Sequence, residues 1–404
     1  MKKPQKLEVE IKIEKIIPGG QGIGKAPDGK KILLWNALPG ETTAEIIITK
    51  QKSHYLEGYA AEIKIPSPQR ITPRDDCYLS TSPWQIFQYD FELKEKTVAV
   101  QELLRQNQLN HIPVKDIVTD HQDFYYRNKM EYSLFFDHDD QKIHLGFHIR
   151  GTHQKVKVDR SSIEKPEIFQ KATEILTEVN ASGRRASDFQ SLILRANQNG
   201  EVSGGLLEKH RPHPVFPLLK DHILGTAYTY SPNGFFQINL PVYELALNYV
   251  KNFISTEKVL DLYSGVGSIG LSVAPDRKLT LVETNSFAFE EMLKNCQNVS
   301  ATNNNPNITP ILAKSEDAID HIASDMTVIL DPPRAGCENK LLEKILEVKP
   351  KTVVYMSCNP ATLARDLKIL SQEYHISEIT PFNFFPRTSH IEAVALLSKL
   401  NSKK

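Results

Sequence analysis

Cysteine is scarce in this chain: four residues in 404, Cys77, Cys296, Cys337 and Cys358, with no C-x-x-C pair among them. That count and spacing argue against both a disulfide-stapled scaffold and a structural zinc site, and every thiol is expected to be reduced. An excess of either charge is also missing, because 49 Lys and Arg balance 49 Asp and Glu. No global basic field marks a nucleic-acid binder, so any RNA-binding surface has to be local. No apolar run approaches a membrane span, and Met1-Lys2-Lys3-Pro4-Gln5-Lys6 leads into alternating Leu7-Glu8-Val9-Glu10 rather than an apolar signal core. The expectation is a cytoplasmic enzyme with no membrane association and no obligate protein partner.

The length suggests two or three domains. Residues 7 to 65 alternate short apolar segments (Val9 to Ile13, Ile32 to Trp35, Ala44 to Ile48) with glycine and proline turns, which predicts a small β-barrel over residues 1–68. Up to residue 74 the chain carries 13 Lys and Arg against 8 Asp and Glu, a net of +5 that fits a solvated basic surface as well as an RNA face. Pro66-Ser67-Pro68-Gln69-Arg70 reads as a linker. Residues 69–245 form a central α+β region. A helix is predicted from Trp84 through Leu104, strands over Lys129 to Phe136 and His144 to His148, and Tyr125-Tyr126-Arg127-Asn128-Lys129 reads either as an RNA contact or as a packed strand edge.

From residue 246 to 404 the pattern changes. Apolar runs at Val259 to Tyr263, Leu279 to Glu283, Thr327 to Asp331 and Thr352 to Met356 alternate with helices over Phe287 to Asn298 and Lys340 to Val348. Buried parallel strands alternating with helices predict a doubly wound α/β domain that binds ligands at the carboxyl ends of its strands. The residues with chemistry fall at those ends. Gly265-Val266-Gly267-Ser268-Ile269-Gly270 follows one strand, and Glu283 ends the next, placed to accept from ribose hydroxyls. A nicotinamide enzyme and an S-adenosylmethionine (SAM) enzyme both need that pair, and a tight turn without ligand remains the plain alternative. Asp331-Pro332-Pro333-Arg334 removes two backbone donors and forces the chain out of the sheet, presenting Asp331 at the cleft. Cys358 ends a strand and opens a helix, with Asn359 as N-cap and Pro360 at the first helical position. A helix start favours thiolate, so Cys358 is a candidate nucleophile; the alternative is an inert buried thiol.

Taken together, Asp261-Leu262-Tyr263-Ser264-Gly265-Val266-Gly267, Asp331-Pro332-Pro333-Arg334-Ala335-Gly336, Ser357-Cys358-Asn359-Pro360-Ala361-Thr362-Leu363-Ala364-Arg365-Asp366 and His390-Ile391-Glu392 resemble the signature set of the RNA uracil-5-methyltransferase family. Ser231-Pro232-Asn233-Gly234-Phe235-Phe236-Gln237-Ile238-Asn239 resembles the family's upstream segment, and the first barrel, with Gly19-Gly20-Gln21-Gly22-Ile23-Gly24 and Leu38-Pro39-Gly40-Glu41, looks like its RNA-binding TRAM module. The resemblance spans nearly the whole chain. It implies a Rossmann-like class I SAM-dependent methyltransferase domain behind a small OB-like barrel and a central domain. It also implies a SAM and target pocket of Gln237, Tyr263, Glu283 and Asp331, with Cys358 as nucleophile and Glu392 as base. Read without the resemblance, Gln237 is a polar residue of an apolar strand and Glu392 an ordinary acid at the start of the last strand. RNA is the implied substrate, ribosomal RNA ahead of transfer RNA, with the barrel acting from outside the α/β pocket.

One departure stands out. Many members of that family carry an iron–sulfur cluster on three closely spaced cysteines and a fourth downstream. Here the matching stretches read Cys77-Tyr78-Leu79-Ser80-Thr81-Ser82-Pro83-Trp84-Gln85 and Val158-Asp159-Arg160-Ser161-Ser162. One thiol is too few for a cubane, so no cluster and no metal are expected, and packing is expected to anchor Trp84. Two other functions compete: a cytosine-C5 methyltransferase, which also needs a cysteine, and a TRAM-type RNA-binding protein whose catalytic half has decayed.

Overall fold

Short strands separated by glycine turns cannot bury a face singly, so the first six close on one another. The computed structural model describes residues 5–400 apart from 151, 153 and 213. Strands β1 (Gln5–Glu8), β2 (Ile13–Ile16), β3 (Gly22–Lys25), β4 (Lys31–Trp35), β5 (Thr42–Gln51) and β6 (Tyr55–Ile65) run in the order β1-β5-β6-β4-β3-β2. A bridge between Lys12 and Thr42 and a 2.9 Å bond from Ile13 N–H to Glu41 O tie β2 back to β5 and close the barrel around Ile11, Ile32, Leu34 and Ile46. The run expected over Val9 to Ile13 is interrupted, because Ile11 N–H donates to the Thr43 hydroxyl at 3.0 Å. Residues 66 to 70 are a clasp rather than a loose linker. Arg70 Nε and Nη2 donate to the two oxygens of fully buried Glu41 at 2.6 and 2.8 Å, a bidentate pair of the strong kind.

Next come α1 (Tyr78–Thr81), a 3₁₀ turn at Pro83–Ile86 and α2 (Tyr89–Gln106). The long helix thus starts later than the aromatic spacing predicts. Trp84 is held in the turn by its N–H, which donates to Arg387 O at 3.0 Å, and by its indole N–H, which donates to Gly20 O at 3.0 Å. Strands β7 (Lys129–Asp137), β8 (Lys142–His148) and β9 (Lys155–Lys157), helix α3 (Pro166–Ala181), and strands β10 (Phe189–Ala196) and β11 (Val202–Glu208) build a sheet ordered β11-β10-β7-β8-β9. Ile168, Ala172 and Val179 of α3 cover it through Tyr132, Leu134, Leu192 and Leu194.

An antiparallel pair, β12 (Leu219–Ile223) and β13 (Thr226–Tyr230), precedes the doubly wound layer: α4 (Leu240–Lys251), β14 (Lys258–Leu262), α5 (Ser268–Val273), β15 (Lys278–Glu283), α6 (Ser286–Asn303), β16 (Ile308–Leu312), β17 (Met326–Leu330), α7 (Asn339–Val348), β18 (Thr352–Ser357), α8 (Pro360–Leu370), β19 (Tyr374–Phe382) and β20 (Glu392–Lys399). The seven-stranded sheet is ordered β16-β15-β14-β17-β18-β20-β19, parallel from β16 to β18 and antiparallel beyond. One face packs on Val242, Leu247, Leu271 and Met292, the other on Leu341, Leu367 and, from α2, Val100 and Leu104. The order reverses at β14, which opens a crevice at the carboxyl ends of β14 and β17. No helix among the described residues is long and apolar enough to cross a membrane.

A buried carboxylate, and not packing alone, fixes the segment before α2. Asp75 Oδ2 accepts from Gln85 Nε2 and Ser162 N–H, both at 2.8 Å, and Oδ1 accepts from the Ser162 hydroxyl at 2.6 Å. Gln85 Oε1 in turn accepts from Arg74 N–H at 2.9 Å, while the Cys77 thiol meets only Arg160 O, at 3.6 Å. Asp75→Ala strands three buried donors, so it should lower unfolding free energy by about 3 kcal/mol, read as a shift in urea midpoint at constant m. A loss below about 1 kcal/mol would show that the network is dispensable.

Candidate active site

The glycine turn is shaped by what lies beneath it. Tyr263, Gly265 and Gly267 take φ of 62°, 57° and 83°, so the chain leaves β14 through left-handed conformations before entering α5. Under the turn, fully buried Asp261 accepts from Gly270 N–H at 2.9 Å, and a Cβ at Gly270 would sit 2.8 Å from the same carboxylate oxygen. Burial pushes the Asp261 carboxyl up to about 8. Glu283 accepts from Gly265 N–H at 2.8 Å and from Asn285 N–H at 2.6 Å, one bond on each oxygen, which locks the turn to the end of β15. Tyr263 N–H donates to the Ser315 hydroxyl at 3.1 Å and its phenol to Glu316. No atom lies within 4 Å of where a Cβ on Gly265 would stand. Open space over a backbone turn, beside a fixed acid, fits a nucleoside-bearing cofactor.

Gln237 is on an extended loop, not on the strand its apolar neighbours suggested. Three carbonyls of that loop are held from the central sheet: Phe236 O by Arg195 Nη2 at 3.1 Å, Gln237 O by Asn128 Nδ2 at 3.0 Å, and Ile238 O by Asn128 N–H at 3.0 Å. Lys129 Nζ donates to Asn233 O and Gly234 O at 3.1 and 3.0 Å, and Ser231 N–H to Glu291 on α6 at 2.8 Å. Arg195 is fully buried, its guanidinium 5.4 Å from the Tyr230 ring centre, and the Tyr230 and Phe236 rings stack at 3.9 Å. These holders escaped the sequence reading, although a cation inside Leu192-Ile193-Leu194-Arg195-Ala196 was a visible signal.

Sheet register brings the remaining three together. Leu330 pairs with Tyr355 and Ser357 with Ala393, so Asp331, Cys358 and Glu392 occupy neighbouring ends of β17, β18 and β20. Glu392 is buried with Oε1 lacking any hydrogen-bond partner. Burial, then the proximity of Asp331, pushes the Glu392 carboxyl well up, and Asp331 rises to about 7. Both carboxyls are therefore biased toward their protonated forms relative to free ones. Asn359 caps α8 by accepting from Ala361 N–H at 3.2 Å, as expected, yet the thiolate that placement suggested does not follow. Burial, Glu392 and Asp331 push the Cys358 thiol up to about 11 against the pull of Arg334. Local helix polarity loses to two nonlocal acids.

A cleft of about 210 Å³ opens onto Cys358, lined by Arg334 and His390, by Trp84 and Leu103, and by Ile17 to Gly20 of the barrel. Asp331 and Glu392 lie off its lining. Arg334 Nη2 and His390 Nδ1 are 3.1 Å apart, and Asn359 Nδ2 donates to Arg334 O at 2.8 Å. The barrel therefore reaches the cleft through its Ile17 to Gly20 turn, which carries none of its basic excess. Its only signal in the sequence was the Gly19-Gly20 pair.

The tRNA (uracil-5-)-methyltransferase family profile matches residues 222–400, and the TRAM domain matches residues 5–61. An uncharacterized RNA methyltransferase of Listeria innocua is 30% identical, the alignment covering 96% of this chain and 97% of that protein. One from Enterococcus faecalis is 27% identical, with 97% of each chain covered. Among solved structures, a Pyrococcus abyssi tRNA (uracil-54, C5)-methyltransferase in complex with S-adenosyl-L-homocysteine superposes with a TM-score of 0.73 at 25% identity, over 96% of this chain and 100% of that one. With the glycine turn, the acid after it and the order of the sheet, these matches lead to one conclusion: the chain belongs to the RNA uracil-5-methyltransferase family, as a SAM-dependent enzyme with an N-terminal TRAM domain.

Proposed function

We propose that this protein methylates C5 of a uridine in ribosomal RNA through a covalent bond between Cys358 and C6 of the target. The supporting observation is the strand register that sets Cys358 beside Glu392 with Asp331 on the next strand. C5 of uracil is a weak nucleophile and is hidden in stacked helices, so the target has to be unpaired or flipped. Addition of the Cys358 thiolate to C6 pushes the C5–C6 electron pair toward C5 and O4, and Arg334 at the cleft supplies compensating charge. Gln237, Tyr263 and Glu283 would hold SAM, whose sulfonium would supply the methyl group, the S–CH3 bond breaking as C5–CH3 forms and S-adenosylhomocysteine leaving. Asp331 holds either the uracil N3–H or the cofactor's charged end. Glu392 then takes the C5 proton; the C–H pair restores the double bond, the C6–S bond breaks, and Cys358 leaves as thiolate. Residues 1–68 contribute RNA binding, 69–245 RNA positioning and 246–404 the transfer.

A second reading, transfer RNA, is favoured by the likeness to the Pyrococcus abyssi enzyme. Mapping 5-methyluridine across total RNA from cells with and without the gene separates them, and a loss confined to 5-methylcytidine would overturn both.

Cys358→Ala should abolish transfer with SAM affinity intact. Glu392→Gln should cut turnover by ~10²–10⁴-fold and accumulate a denaturant-stable adduct, with nucleotide plus methyl on the Cys358 peptide by mass spectrometry. Normal turnover, or no adduct despite retained SAM and RNA binding, removes Glu392 from the role of base.

The rate should also carry the two raised pKa values. As pH falls, Asp331, raised to about 7, and Glu392, pushed up by burial and by Asp331, take up protons and the acceptor is lost, while with rising pH the Cys358 thiol, at about 11, yields more thiolate. Single-turnover transfer should therefore climb continuously from about pH 6 to pH 9, by up to tenfold per unit. A plateau across that range contradicts the assignment.

With Cys77 the one thiol near the Trp84 turn, chelator-treated protein should hold no stoichiometric iron and remain active. About four irons per chain with cubane absorbance would refute this.

A further inference from the structure

The turn between β2 and β3 is built for docking. Gly20 N–H donates to Ile17 O and Ile17 N–H to Gln21 O, both at 2.9 Å, closing the turn on itself. Gly19 and Gly20 hold φ of 116° and 98°, conformations that side chains resist. Gly20 O receives the Trp84 indole N–H at 3.0 Å, and a Cβ on Gly20 would fall 2.2 Å from Ser389 Cβ and 2.7 Å from its hydroxyl. No larger residue fits without moving the turn or the segment leading to Glu392. Behind the turn, Ile16 and Leu38 of the barrel are buried with Trp84, Ile86 and Phe87, and Lys15 pairs with Glu102 on α2. The barrel is thus seated rigidly, with Ile17, Pro18, Gly19 and Gly20 facing Cys358, Arg334 and His390 across the cleft.

We propose that the Pro18–Gly20 turn of the barrel is a positioning element of the methylation site: it confines the target nucleotide and its neighbour against Cys358, so that the barrel sets turnover as well as RNA affinity. The inference rests on the assignment of Cys358 as nucleophile. Small residues here let backbone approach backbone and leave nucleotide-sized room, while the Trp84 bond fixes the height of the wall. A misplacement of about 1 Å at such a wall costs rate far more than affinity. The mainly phosphate-directed part of RNA binding lies elsewhere on the barrel and survives a change in the turn.

The test uses full-length protein, tritiated SAM and hypomethylated total RNA from cells lacking the gene. Three variants are compared with wild type: Gly20→Ala, whose Cβ displaces the turn; Gly20→Ala with Ser389→Gly, which removes the two nearest atoms it would strike and leaves the backbone strain at position 20; and Trp84→Phe, which keeps a ring on Phe87 while deleting the indole donor and part of the buried ring. At saturating RNA, Gly20→Ala and Trp84→Phe should lower the single-turnover rate at least tenfold and at least threefold, with dissociation constants for SAM and RNA within threefold of wild type. The double variant should recover the part of the loss that comes from the clash with Ser389, the remainder being the backbone strain at position 20. Should Gly20→Ala fail to fold, Trp84→Phe decides by the same readout. Unchanged rates in folded variants, or losses carried wholly by RNA affinity, overturn the proposal. A further control separates this from the underlying assignment: RNA containing 5-fluorouridine should trap wild-type enzyme at Cys358. Absence of trapping, with Cys358→Ala still active, defeats both; trapping with unaffected variants defeats the turn alone.

Discussion

One buried cation, Arg387, joins the barrel-side turn, the central region and the catalytic sheet. Its N–H donates to Glu92 at 2.9 Å, its Nη1 to Phe87 O at 2.6 Å and its Nε to Asp123 at 3.1 Å, while its own carbonyl receives the Trp84 N–H. Glu92 is shared with Lys96 at 2.9 Å, and Lys96 reaches Asn383 and Phe385 O at 2.6 and 3.0 Å. Two cations face two carboxylates in a water-poor junction, and each charge is matched. Removing Glu92 would leave Lys96 buried and unpaired, which costs far more than the net worth of the pair. What the network provides is geometry: it pins residues 383 to 387, the chain that runs on into Ser389, His390 and Glu392.

That placement matters because the reacting groups oppose one another electrostatically. Cys358, Asp331 and Glu392 are all acids, gathered at adjacent strand ends; burial raises all three, Asp331 also raises Glu392, and both carboxyls raise the thiol. A group whose folded pKa lies above its unfolded value contributes stability at low pH that is lost as pH rises through the folded pKa. The site is thus held together at neutral pH against its own charge by the scaffold around it. The same opposition biases the thiol toward its protonated form, so the proposed thiol addition would draw on cationic partners, Arg334 among them.

What was legible in the sequence follows from range. The parallel strands, the glycine turn, Glu283, the Asp331-Pro332-Pro333 exit and the Asn359 cap are local patterns, and each fell at a strand end in the structure because right-handed crossovers put all those ends on one edge. The misreadings were decided at a distance. Gln237 leaves the strand because Arg195 and Asn128 claim its neighbouring carbonyls, α2 starts at Tyr89 because Trp84 is bonded to Gly20 and Arg387, and residues 66 to 70 are immobilised by Glu41. The thiolate expectation considered only the helix that Cys358 opens, whereas the acids that overrule it come from two other strands. No window of sequence holds those pairs together.

The same reasoning explains why a small barrel with a net charge of only +5 up to residue 74 can matter. A tethered basic module raises the local concentration of RNA and little else, and its effect fades with salt. A module seated by an apolar cluster, an ion pair and an indole bond has a fixed orientation, so under the proposed function phosphates bound on its surface would set the register of the RNA strand at the cleft. Modest charge suffices when direction is supplied by packing. In the proposed arrangement affinity and alignment would be separable properties of one domain, the first resting on its exposed lysines and the second on two glycines that allow it to sit close.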